Sequence, residues 1–161
     1  MTVIKLNKLT DYAVVILTCL HSSKRSIWTA NLIARETGVP VPTAAKLIKI
    51  LAKADIIFSQ RGARGGCKLA RPAQKITVAD VIKAVEGPIA LTDCVDGGAG
   101  ECGVENICPM RGNWEQVNVA IRTALEAVTV ADMAVPLYPN EFINAIDRTK
   151  RDEPEGVERS T

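Results

Sequence analysis

Residues 29–70, TANLIARETGVPVPTAAKLIKILAKADIIFSQRGARGGCKLA, carry the pattern on which the fold turns. Thr29 is a suitable N-cap for a helix from Ala30 to Thr37, which stops at Gly38, where a left-handed C-cap belongs. Pro40 and Pro42 push Val39 and Val41 out of the helical region, and Pro42 then serves as the first residue of a third helix running to about Ala54. Along it Ala44, Leu47, Ile48 and Leu51 recur at spacings of three and four and form the buried stripe. Thr43, Lys46, Lys49 and Lys53 take the opposite side. After Asp55 the period changes, and Ile56 to Gln60 and Cys67 to Ala70 read as two short strands joined by a glycine-rich, cationic tip from Arg61 to Gly66. Two helices with a short turn between them, followed by such a ribbon, are in the order of a winged helix-turn-helix.

On the N-terminal side, DYAVVILTCL from Asp11 to Leu20 is apolar on nearly every side, as expected of a helix packed between other surfaces. On the C-terminal side, Thr77-Val-Ala-Asp80 resembles a capping box opening a helix to about Glu86, before Gly87 and Pro88. Leu91 to Arg111 breaks into a glycine-containing loop with three cysteines. Beyond it Trp114, Val117, Ile121, Ala124 and Val128 form a seam on a helix from Asn113 to Val128, roughly 24 Å long. That seam packs either on its own domain or on a second copy. No internal repeat is evident, and the charged stretch from Lys150 onward has no core pattern and is expected to be disordered. The expected fold is mainly α with a small β-hairpin wing. It divides into a winged helix at 1–87, a cysteine loop at 88–111, a dimerisation helix region at 112–134 and a C-terminal extension at 135–161.

A length of 161 residues leaves room for one ordinary domain, or a small module with a helical extension, but not for two full domains, and argues against large catalytic architectures. The net charge of +2 conceals a division. Residues 1–75 hold thirteen Lys and Arg against three acids, a balance of +10, and residues 76–161 hold seven against fifteen, a balance of −8. A basic half of that kind is suited to a polyanion. The apolar run from Tyr12 to Leu20 is about half the length of a membrane helix, and the terminus lacks a secretory pattern, so the expected location is the cytoplasm with no membrane partner. In that reducing compartment five cysteines, an odd number, argue for thiols or metal ligands before structural disulfides.

Each part of the basic half has a role on double-stranded DNA. Thr43 and Lys46, near the start of the third helix, are placed for base edges in the major groove, and Lys49 and Lys53 for phosphates. Arg61 and Arg64, on a backbone with little side-chain bulk, suit a narrowed minor groove. In the acidic half, Cys94, Cys102 and Cys108 are spaced C-x7-C-x5-C, close enough to converge on zinc or an iron–sulfur cluster, both of which favour soft sulfur ligands. The fourth ligand is open among Asp93, Asp96, Glu101, Glu105, Asp11 and the single histidine, His21. Cys19 and Cys67 lie on apolar faces and read as core residues.

KLTDYAVVIL, GVPVPTAAKLIKIL, RGARGGCKLARP, ITVADVIKAVEGPI and the three-cysteine loop together resemble the Rrf2 family of bacterial regulators, over about residues 5 to 134. They look nearest to its regulators of the SUF iron–sulfur assembly system, relatives of IscR and NsrR. The resemblance implies a homodimeric winged-helix repressor of iron–sulfur assembly genes that is not an enzyme. Its loop cysteines would hold a 2Fe-2S or 4Fe-4S cluster near the interface, and the helix from Asn113 to Val128 would pair with its partner. IscR-type sites use C-x5-C-x5-C and a histidine three residues after the third cysteine, whereas here the first gap is seven and Arg111 stands in that place. NsrR-type sites take an aspartate from the first helix of the other subunit, a position matched by Asp11. Cys67 stands where the wing often has an aromatic residue, as a packing change or an extra redox-sensitive thiol. Two further readings are a winged-helix regulator without a metal, responding to thiol oxidation or a partner protein, and a thiol enzyme using Cys108 or Cys94. The last lacks an obvious base.

Overall fold

The structure, a computed structural model, describes residues 5–62, 65–96, 98, 103 and 107–135. Helix α1 (Lys8–Ser22) starts three residues earlier than the apolar run suggests, because Asn7 caps it and accepts from the Leu9 N–H at 3.1 Å. Thr10, Ala13, Ile16, Leu17 and Leu20 are buried, and Tyr12, Val14 and Cys19 are half-buried against the same core, so α1 is indeed packed between surfaces. Helix α2 (Ala30–Thr37) has the expected ends: Thr29 accepts from Leu32 N–H, and Gly38 adopts φ +74° while its N–H reaches the Ala34 carbonyl.

Helix α3 (Val41–Lys53) begins one residue before the expected start, so Val41 is helical although Pro42 follows it. The pre-proline restriction is a bias, and here it is outweighed by the turn that Ala44 N–H closes on the Pro40 carbonyl at 2.9 Å. Ala44, Leu47 and Leu51 are fully buried; Ile48, expected with them, is half-buried. Strands β1 (Ile57–Gln60) and β2 (Gly66–Leu69) pair antiparallel with Ile57 opposite Leu69 and Gln60 opposite Gly66. Trp28 adds an isolated antiparallel bridge to β2, exchanging backbone hydrogen bonds with Cys67 at 2.9 and 2.7 Å. A 3-10 turn at Ala73–Lys75, without a sequence signal, sinks Ala73 and Ile76 into the core.

Helix α4 (Val78–Val85) opens on the expected capping box, with the Thr77 side chain on Asp80 N–H and the Asp80 carboxylate on Thr77 N–H. Helix α5 (Arg111–Ala127) follows the cysteine loop. Helix α6 (Val130–Met133) was not anticipated, although the sequence holds its signal: Thr129-Val-Ala-Asp132 repeats the tetrapeptide at 77–80 and forms a second capping box. The two copies meet as an antiparallel bridge between Thr77 and Thr129, with Val78 N–H on the Val128 carbonyl and Val130 N–H on the Ile76 carbonyl. The chain thus returns from α5 to bury Val130 completely. Among the described residues no helix is long and apolar enough to cross a membrane. Apart from Val135, the expected C-terminal extension and its charged tail lie outside the described residues.

Val130→Ala is expected to lower the unfolding free energy by about 2 kcal/mol through lost burial and an unfilled cavity. A urea midpoint equal to the wild type's would remove α6 from the core.

Candidate nucleic-acid interface and cysteine loop

The apolar stripe of α3 turns its other side outward. Lys46, Lys49 and Lys53 are exposed along it, and Thr43 is half-buried in its first turn. Neither α2 nor α3 has an acidic residue in its first turn to oppose an approaching polyanion. Arg61 is exposed at the end of β1; Arg64 lies outside the described residues. Between α3, the start of α2 and the wing runs an open cleft of about 550 Å³, lined by Thr29, Ala30, Lys49, Gln60, Arg61 and half-buried Ile48, among others. Thr29 and Gln60 line this cleft beside the basic residues, although in the sequence Thr29 carries only a capping signal and Gln60 only the end of a strand.

The wing glycines are needed for close approach. A Cβ on Gly66 would lie 2.4 Å from Ile27 Cγ2 and 2.7 Å from the Trp28 carbonyl oxygen, and one on Gly65 would lie 2.5 Å from the Gln60 carbonyl. Cys67, directly after them, is buried, and that burial pushes its thiol up to about 11. It stays protonated at neutral pH, which favours packing over redox sensing for this residue. Cys19 is half-buried, less enclosed than a core cysteine; burial first and the nearby Glu36 second push its thiol up.

Cys94 and Cys108 are free, half-buried thiols, and Cys94 Sγ lies 3.3 Å from the Thr92 hydroxyl. Cys102, Glu101 and Glu105 lie outside the described residues. Among the described residues no three His, Cys, Asp or Glu side chains are gathered as a metal site. Asp11 is exposed in the first turn of α1, whose start is tied to the end of α4 because the Glu86 carboxylate accepts from Asn7 N–H at 2.9 Å and from the buried Thr10 hydroxyl. His21 is exposed at the other end of α1, and Asp93 and Asp96 are exposed in the loop. The expected seam of α5 faces away from its own domain: Trp114 and Val117 are each 44% exposed and Val128 38%, Ala124 is exposed and Ile121 half-buried. Asn118, on another side of α5, is fully buried instead.

The profile of the Rrf2 family, described as an iron-dependent transcriptional regulator, matches residues 6–136. Protein aau3 of Rhizobium meliloti is 32% identical over 147 residues, covering 91% of this chain and 96% of its own. The transcriptional regulator NsrR of Oceanobacillus iheyensis is 32% identical over 132 residues, covering 80% and 88%. Among solved structures, CymR, the global cysteine regulator of B. subtilis, superposes with a TM-score of 0.65 at 24% identity, over 82% of this chain and 97% of its own.

Gly66→Ala is expected to force the wing off Trp28, giving heteronuclear NMR shifts confined to 26–29 and 57–69 and weaker DNA binding. An unshifted spectrum would show that the strands accommodate the Cβ.

Proposed function

The chain belongs to the Rrf2 family of transcriptional regulators, and we propose that it is a DNA-binding repressor whose cysteine loop reads iron–sulfur supply to control cluster-assembly genes. The observation that carries the DNA reading is the row of exposed Lys46, Lys49 and Lys53 on α3, beside Arg61 of the wing. Helix α3 enters the major groove, with Thr43 and Lys46 at base edges and Lys49 and Lys53 on phosphates. Arg61 and Arg64 follow the minor groove. The exposed seam of Trp114, Val117, Ile121, Ala124 and Val128 supports pairing with a second copy, which sets two α3 helices on half-sites about one turn, roughly 34 Å, apart. The protein acts in the cytoplasm and catalyses no reaction.

The donor chemistry of the loop fits a soft-metal centre: Cys94 and Cys108 are free and partly accessible, unlike the enclosed Cys67. Cys94, Cys102 and Cys108, with Asp11 of the partner subunit, would hold the cluster. When bound, an iron–sulfur cluster supplies an occupancy sensitive to iron and to oxidants. Because the cysteines lie in the loop that leads into α5, their arrangement and the pairing of subunits share one coupling free energy with DNA, typically about 1 to 3 kcal/mol.

Lys46→Ala is expected to weaken operator binding, and Lys49→Ala to reduce the slope of log K against log salt by about 0.9 for one lost phosphate contact. Fluorescence anisotropy across a salt series measures both, and unchanged affinity in the two variants would remove α3 from the interface. Protein isolated anaerobically is expected to be coloured and to contain iron and sulfide, with a spectrum altered by Asp11→Ala. A colourless protein that takes up neither on reconstitution rejects the cluster and leaves a regulator working through its thiols or a partner. An unaltered Asp11→Ala spectrum moves the fourth ligand to a loop carboxylate.

A further inference from the structure

The first part of the cysteine loop is fastened to α5 at three points, and they bracket Cys94. Leu91 N–H donates to Asn118 Oδ1 at 3.2 Å, Asp96 N–H donates to Glu115 Oε2 at 2.9 Å, and Arg122 Nη1 lies 3.4 Å from Asp96 Oδ2. Inside this bracket the Val95 side chain is buried and the Thr92 hydroxyl meets Cys94 Sγ, and just beyond it Gly98 N–H closes a turn on the Val95 carbonyl at 2.9 Å. Gly98 permits the turn, since a Cβ there would lie 2.6 Å from the carbonyl oxygens of both Thr92 and Asp93.

Residues 115, 118 and 122 share one stripe of α5, and each follows a seam residue directly in the chain: Trp114, Val117 and Ile121. At 100° per residue the two stripes are centred about 110° apart, so the helix holds the cysteine turn with one face while presenting the seam with another. Asn118 is the costly member. It is fully buried, its Oδ1 is oriented by the Leu91 N–H, and its Nδ2 has no partner among the described residues. A leucine would fill similar space without an unpaired donor. The gain from the amide is the fixed position of the loop.

We propose that Glu115, Asn118 and Arg122 are positioning residues that latch the Cys94 turn to α5, so that any displacement of Cys94 turns the pairing seam with it. The functional meaning rests on the reading of Cys94 as a ligand and α5 as the pairing helix; the latch itself is testable in the absence of metal.

The test is alkylation of the full-length chain, stripped of metal by a chelator under reducing conditions, with each cysteine followed by peptide mass spectrometry. In Asn118→Ala and in Glu115→Ala the rate at Cys94 is expected to rise by roughly three- to tenfold, the factor that loss of one hydrogen bond allows, while Cys108 keeps its rate. Glu115→Gln, which still offers an acceptor to Asp96 N–H, is expected to restore the wild-type rate at Cys94. Unchanged Cys94 rates overturn the latch, and so does an equal rise at Cys94 and Cys108, the mark of general loosening. If Asn118→Ala does not fold, the Glu115→Ala and Glu115→Gln pair decides the question. A protein without iron that still shows the selective rise loses its sensor reading and keeps the latch.

Discussion

Burial of α1 is the constraint from which the arrangement follows. Ala13, Ile16 and Leu17 are fully enclosed, and α2, α3, α4, α6 and β2 all touch this one helix. Each of its large aliphatic side chains contributes about 1.5 to 3 kcal/mol on leaving water, and none can do so without neighbours on several sides. Helix α3, the wing and the return of α6 are therefore placed relative to a common axis. The basic residues of α3 point outward because Ala44, Leu47 and Leu51 on its other side must point toward α1 and its neighbours.

Charge follows the same division. Residues 1–75, with their balance of +10, lie almost wholly in the winged helix, where lysines occupy the outward side of α3 and Arg61 the wing. Several acids of the later segments, among the described residues, are used locally: Asp80 and Asp132 close capping boxes, Glu86 holds the start of α1, and Glu115 and Asp96 hold the cysteine loop. Hydrogen bonding from Thr129 holds the Asp132 carboxyl below the usual carboxylate range. Part of the negative charge of the later segments is thus tied up in fastenings within the fold.

Much of the architecture was legible from residues 29–70. Thr29, Gly38, Pro42 and the change of period after Asp55 located α2, α3 and the wing to within a residue, and Thr77 with Asp80 located α4. Where the reading fell short, the cause was a partner far away in the chain. Ile48 matched the apolar spacing, yet it lies at the edge of the cleft between α3 and the wing, where nothing covers it completely. The second TVAD gives a weak local signal because the helix its box opens is only four residues long, and its weight comes from pairing with the first copy 52 positions earlier. Cys67 was open between packing and redox chemistry, and enclosure behind Trp28 and the wing favours packing.

Caps, turn glycines, prolines and apolar periods act within about one helical turn of themselves, so the chain written out in order was enough to place the elements and the basic face of α3. Which side of α5 meets its own domain was a different matter. The seam at 114, 117, 121, 124 and 128 was visible, but whether it was covered depended on Asn118 and Glu115 finding Leu91 and Asp96, backbone groups 27 and 19 residues away. No local pattern marks such a contact, because its energy exists only once the loop has folded back on the helix.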